Sequence, residues 1–341
     1  MRKNYTSISV LRLFSTLMIF IFHYLISFTV FGKKYFPMYF VVQVFLFISG
    51  FLYGDKPIVN AGQFYKKNFA KILIPALVTL LLMATGYLIF MLCGITLPIT
   101  KDGNNGAVLI TFGHFWFVYA ILLCYLITPA IHKIHEYHVN GAGNPKTVQI
   151  LQIIIAVLII INFFISALGE QLMILSYLAG FSFRKIKGCE KFNHNKPTFV
   201  VVGAIAFLSS AIACYLLSVT VFTPAFSLIR EVLCMILGVS LCVIVLSLTD
   251  AKVKEKQSSI LKFSDKYSYT FFLTHQFFLI AGFAPLIENL PLEMFLAISF
   301  ALSILTAVIV DLITQPITIL ILKTNKKASI RIVDEKGEKV A

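Results

Sequence analysis

Ten apolar runs of roughly 20 residues, broken by short polar stretches, constrain this chain more than any other feature. Only helices that cross a lipid bilayer commonly use hydrocarbon side chains at that length and in that number. The runs lie near 8–30, 36–54, 72–93, 112–132, 148–168, 171–183, 198–218, 229–249, 267–287 and 292–322, the sixth being short and the tenth long. Hydrophobic residues make up 59% of the chain and charged residues 13%, and no stretch between the runs is long enough to enclose a separate aqueous core. In lipid every backbone N–H and C=O must be satisfied internally, which selects helices for spans of this length. The sequence therefore predicts an all-α polytopic membrane protein of about ten transmembrane helices. Its membrane domain covers 1–322, and 323–341 forms a basic tail.

The distribution of charge orients that bundle. The chain has 29 Lys and Arg residues and a formal net charge of +14. If the N-terminus lies inside and each run crosses once, 25 of the basic residues fall in inner segments and four, Lys33, Lys34, Lys101 and Arg230, fall outside. This is the positive-inside pattern, and it predicts that both termini are cytoplasmic. It also accounts for the basic charge without a nucleic-acid partner. The six cysteines, at 93, 124, 189, 214, 234 and 242, lack CxxC or metal-ligand spacing and read as small packing residues, so no metal site is expected. Arg2 and Lys3 give the first run a basic start like a signal peptide's, but no small-x-small cleavage site follows it. It reads as the first transmembrane helix.

Polar side chains inside the apolar runs are the candidates for chemistry, because ionisable groups in a membrane usually line paths or sites. In LRLFSTLMIFIFHYL, Arg12 and His23 are eleven residues apart, which is almost three helical turns and roughly 16 Å of rise, so they share a face. Arg12 can reach the inner interface while His23 sits deep in the span. A histidine there is either a packing residue bonded to a neighbouring helix or a general base, since imidazole titrates near neutral pH. His114 and Trp116, in FGHFWFV, are interfacial anchors or substrate contacts. Arg230 and Glu231, at the outer start of the eighth run, form a structural ion pair or an anion-positioning site. His275 lies in the ninth run, and Asp311 and Gln315 form an i,i+4 pair in the tenth. These are expected in a buried polar network or a lined cavity. Gln43 and Asn162 read as hydrogen-bonding links between helices. In QFYKKNFAKILIP, Lys67 and Lys71 share a helical face that suits phosphate or lipid headgroups, as positive-inside residues also would.

These residues carry a resemblance to the bacterial acyltransferase-3 family of integral membrane acyltransferases. SVLRLFSTLMIFIFHYL carries the first-helix Arg and His, followed by FLFISGFLYG at 45–54, FWFVYAILLCYLITP at 115–129 and SDKYSYTFFLTHQFFL at 264–279. In the basic segment after the second run the family often has RxxR. This chain has KKNFAK, and lysine lacks arginine's planar bidentate geometry. The resemblance implies a protein of the bacterial cytoplasmic membrane with acyl-CoA, acetyl-CoA by default, as donor substrate and no bound cofactor. The acceptor it implies is a hydroxyl of an envelope or capsular glycan or of a lipid-linked sugar. His23 becomes the expected general base, with Asp311 and Glu231 as carboxylate candidates. Arg12, Lys67 and Lys71 become candidate donor contacts, and His114, Trp116, Arg230 and His275 candidate acceptor contacts. A transporter or flippase for a polysaccharide or lipid-linked sugar is the rival reading, though no inverted repeat is apparent between the two halves.

Overall fold

The computed structural model describes residues 6–28, 40–94, 115–167, 173–218, 224–249, 257–279 and 290–336. Among these the chain forms α1 (Thr6–Phe28), α2 (Phe40–Tyr53), α3 (Ala61–Leu92), α4 (Trp116–Asn140) and α5 (Pro145–Ala167). It continues with α6 (Met173–Lys187), α7 (Glu190–Ser218), α8 (Pro224–Leu248), α9 (Ser259–Leu279) and α10 (Leu292–Lys336). Each described helix overlaps one expected run. Seven are long and apolar enough to cross a membrane: α1, α3, α4, α5, α7, α8 and α10. Of the rest, α2 is apolar but has 14 residues, α6 has 15, and α9 carries Lys262, Asp265 and Lys266 in its first two turns.

Among the helices that begin earlier than the apolar runs imply, two do so for the same local reason. Asn60 caps α3, its side-chain oxygen accepting from the Gln63 N–H at 3.0 Å, so the basic segment KKNFAK lies on helix. Pro75 does not end that helix. It has no N–H to donate back to the Lys71 carbonyl, yet the helix continues to Leu92, and Thr79 adds a hydroxyl hydrogen bond to the Pro75 carbonyl at 2.8 Å. Ser258 caps α9 by accepting from the Leu261 N–H at 3.3 Å, which starts that helix at Ser259 rather than near 267. His275 consequently stands near the far end of α9. At the other end of the chain α10 runs past the expected boundary at 322 to Lys336.

Helix packing divides the chain into two units, Met1–Ile58 with Leu126–Ser268, and Val59–Tyr125 with Tyr269–Ala341. In the first, α2 packs against α6 and α8. The α2–α6 contact is backbone on backbone: a Cβ at Gly50 would overlap the Tyr177 carbonyl, and one at Gly180 would overlap the Phe47 carbonyl. Close approach through small residues replaces the hydrophobic effect that lipid removes. Polar links tie these helices to one another and to α4 and α5. Ser176 donates to Gln43 at 2.6 Å, and the Thr128 and Tyr177 hydroxyls lie 2.6 Å apart. Asn162 accepts from the Ile174 N–H at 3.3 Å, so Gln43 and Asn162 do link helices.

The helix ends of this unit are joined by charge. Asp55 pairs with Arg184, the His132 ring donates through Nε2 to the Tyr53 carbonyl at 2.9 Å, and Lys187 donates to the Leu246 and Thr249 carbonyls. The C-terminal ends of α2, α4, α6 and α8 therefore share one end of the unit. A lysine on the last carbonyls of α8 is favoured by the helix dipole. In the second unit α3 packs on α10, and Met83, Phe277 and Phe278 form a cluster with Tyr87 and Leu302. Tyr269 donates to the Ile72 carbonyl at 2.9 Å, and Thr274 donates to the Ser303 carbonyl at 3.1 Å.

Candidate functional site

The strongest polar constellation in the first unit forms around Arg12. Its Nη1 donates to Asp265 Oδ1 at 3.1 Å. The other carboxylate oxygen, Oδ2, accepts from the Ser9 hydroxyl at 2.5 Å and from Gln257 Nε2 at 3.0 Å, and Gln257 also donates to Ser9 at 2.5 Å. Ser9 and Arg12 are three residues apart on α1, so they sit one above the other on a single face. Asp265 lies on α9 only because that helix begins at Ser259. The Arg12 and Asp265 side chains are 26% and 28% exposed, so the pair borders solvent and retains access to a ligand.

His23 lies eleven residues along the same helix, half-buried, with its ring edge-on to Phe22 at 5.4 Å between centroids. α1 is continuous from Thr6 to Phe28, so the Arg12-to-His23 spacing anticipated from the sequence is a helical one, roughly 16 Å of rise. A guanidinium near one end of a helix face and an imidazole three turns along it are suited to a ligand that is anionic at one end and reactive at the other.

Elsewhere in this unit Arg230 Nη2 donates to Glu231 Oε1 at 3.4 Å, and Glu231 is 2% exposed. This is the ion pair that the adjacent residues suggested. In the second unit His275 is fully buried, and its Nδ1 donates to the Phe272 carbonyl at 2.8 Å, with the Phe271 carbonyl at 3.3 Å. A ring that donates through Nδ1 carries its lone pair on Nε2 when neutral. Asp311 accepts from Gln315 at 2.6 Å as the i,i+4 spacing predicts, but Gln315 is exposed rather than within a buried network. Trp116 is half-buried against Phe117, and Lys67 and Lys71 are both exposed on α3. His114 lies outside the described residues. Among the described residues no group of three His, Cys, Asp or Glu side chains gathers in a metal-ligand arrangement.

Asp265, Ser9 and Gln257 were not among the sequence candidates. Asp265 sits beside Lys266 in a polar stretch before an apolar run and reads as an ordinary loop charge. The signal that could have found it is Ser258, a good N-cap residue placed to start the helix two turns sooner. His132 closes the fourth apolar run and was not singled out either, although it is 5% exposed and bound to the end of α2.

The acyltransferase-3 family model, described as an acyltransferase domain, matches residues 5–314. The matched stretch contains Arg12, His23, Glu231, Asp265, His275 and Asp311. No curated protein and no solved structure matches the chain.

Proposed function

Because the chain belongs to the acyltransferase-3 family, we propose that it moves a short acyl group, acetyl in the first instance, from acyl-CoA to a hydroxyl of an envelope or capsular glycan or its lipid-linked precursor. The observation that carries this reading is the pairing of Arg12 and His23 on one face of α1, with Arg12 held by an interhelix carboxylate. Acyl-CoA has phosphates at one end and a thioester at the other, separated by a long flexible arm. A fixed guanidinium suits the first and an imidazole farther along the helix suits the second. The setting in the bacterial cytoplasmic membrane, with the donor approaching from the cytoplasm, belongs to the same proposal.

In the reaction, neutral His23 takes the proton of the acceptor hydroxyl as its oxygen attacks the thioester carbonyl. The C–S bond breaks, an oxygen ester forms, and the imidazolium returns its proton to the departing CoA thiolate. Arg12 contributes by holding donor phosphate, so its effect falls on donor affinity and placement. Lys67 and Lys71 are exposed enough to add diffuse attraction for the same anion. Glu231 and Asp311 stay the carboxylate candidates, and His114, Trp116, Arg230 and His275 the acceptor-contact candidates.

The test uses membranes carrying the full chain, radiolabelled acetyl-CoA and an envelope glycan fraction. Alkali-labile label on the glycan is expected, and His23→Ala should abolish it at unchanged protein abundance. Passage of unmodified glycan across liposomes, with no label transferred, would establish a carrier instead.

A further inference from the structure

We infer that Asp265, braced by Ser9 and Gln257, is a positioning residue that fixes one edge of the Arg12 guanidinium so that its remaining N–H groups face an anion, the phosphate end of acyl-CoA. This rests on the acyl-CoA reading above and adds the device that makes Arg12 selective.

The geometry is one-sided. A guanidinium has five N–H donors, and a carboxylate can engage two of them in parallel. Here the carboxylate offers Arg12 only Oδ1, at 3.1 Å to Nη1, because Oδ2 is already bonded to Ser9 and Gln257. Among the described residues this is the guanidinium's one hydrogen bond. The side chain is 26% exposed, so the other donors can reach a ligand. Two bonds on Oδ2 restrain rotation of the carboxylate, and through it the plane of the guanidinium. The residues doing so come from both ends of the sequence, Ser9 on α1 and Gln257 just before α9, so the arrangement exists only when the fold brings these two segments within hydrogen-bonding reach.

The restraint has a chemical use. An unrestrained arginine samples many rotamers and loses that freedom when it binds phosphate, whereas one anchored along one edge has lost part of it already. The carboxylate also opposes anion binding by its own charge. Its engagement with Ser9 and Gln257 disperses that charge, so it can hold arginine without repelling phosphate strongly. A donor fragment without phosphates gains nothing from either effect.

The experiment measures binding to the full chain in detergent, which needs no acceptor. Two probes are used, acetyl-CoA and acetyl-pantetheine, which carries the thioester and arm but no phosphate. Asp265→Asn is expected to weaken acetyl-CoA binding about tenfold, the scale of one misplaced charge-assisted contact. It should leave acetyl-pantetheine binding within about twofold of wild type. Asp265→Glu, which keeps the charge, should recover part of the loss. An equal loss for both probes would show a merely structural role and overturn the inference, and so would unchanged or tighter acetyl-CoA binding in Asp265→Asn. Should Asp265→Asn fail to accumulate, Gln257→Ala and Ser9→Ala carry the same comparison, with a smaller phosphate-dependent loss expected and equal affinity for acetyl-CoA overturning it. Wild-type protein that binds neither probe would instead sink the acyl-CoA reading itself.

Discussion

Two arginine–carboxylate pairs in the first unit have similar chemistry and opposite settings. Arg12 and Asp265 come from helices at opposite ends of the chain, each about a quarter exposed, and share their carboxylate with Ser9 and Gln257. Arg230 and Glu231 are adjacent in sequence, meet at 3.4 Å, and put Glu231 almost wholly out of contact with solvent. A pair that borders solvent contributes little net stability and is free to serve a ligand. A buried pair carries a large desolvation cost that its partner must offset. Position in the fold, rather than the identity of the ions, therefore sets how much stability depends on each pair.

The largest expected effect breaks the buried pair. Arg230→Ala removes the cation from a carboxylate that is 2% exposed, and should lower stability by about 3 kcal/mol. Adding Glu231→Leu to it should recover most of that loss, because the cost lies in the stranded charge and not in the missing contact. Chemical denaturation in mixed micelles would show both. A loss below about 1 kcal/mol for Arg230→Ala would mean that Glu231 protonates readily, and the contrast between the pairs would collapse.

The contrast was only partly legible in the sequence. Arg230 and Glu231 stand side by side, so their pairing could be anticipated without a fold. Arg12 drew notice because it heads an apolar run, and its spacing to His23 follows from helix geometry alone. Its partner could not be found that way. Asp265 is separated from it by 253 positions, and only the fold brings the two side chains together. The seven long apolar helices were legible because hydrocarbon length is a local property that lipid enforces. Their ends were less so. Caps such as Asn60 and Ser258 extend α3 and α9 into polar sequence, where hydropathy has no signal, and that extension is what carries Asp265 onto a helix. The close packing of Gly50 and Gly180 was equally hidden, since each glycine is meaningful only against a carbonyl from the other helix.

A smaller effect on stability is expected at the other pair. Arg12→Ala should cost about 1 kcal/mol, because both ions retain water and Asp265 keeps its bonds to Ser9 and Gln257. The same substitution should remove most acetyl transfer. A variant nearly as stable as wild type but inactive would place the pair on the side of function. If Arg12→Ala destabilised the protein as much as Arg230→Ala, the distinction drawn from exposure would be wrong.

The smallest expected effect supplies the uncharged reference. Ser176 and Gln43 join α6 to α2 through a single 2.6 Å hydrogen bond, both residues being fully buried and neutral. Ser176→Ala removes the donor and leaves the Gln43 carbonyl without it, yet in a membrane protein such interhelix bonds are worth only about 0.6 kcal/mol on average. The backbone contact at Gly50 and Gly180 still holds the two helices together, so the loss should stay near that value. If Ser176→Ala cost as much as Arg230→Ala, the penalty at Glu231 would reflect burial of any polar group, charged or not. A loss near 0.6 kcal/mol, set against about 3 at the buried ion, would assign the difference to charge.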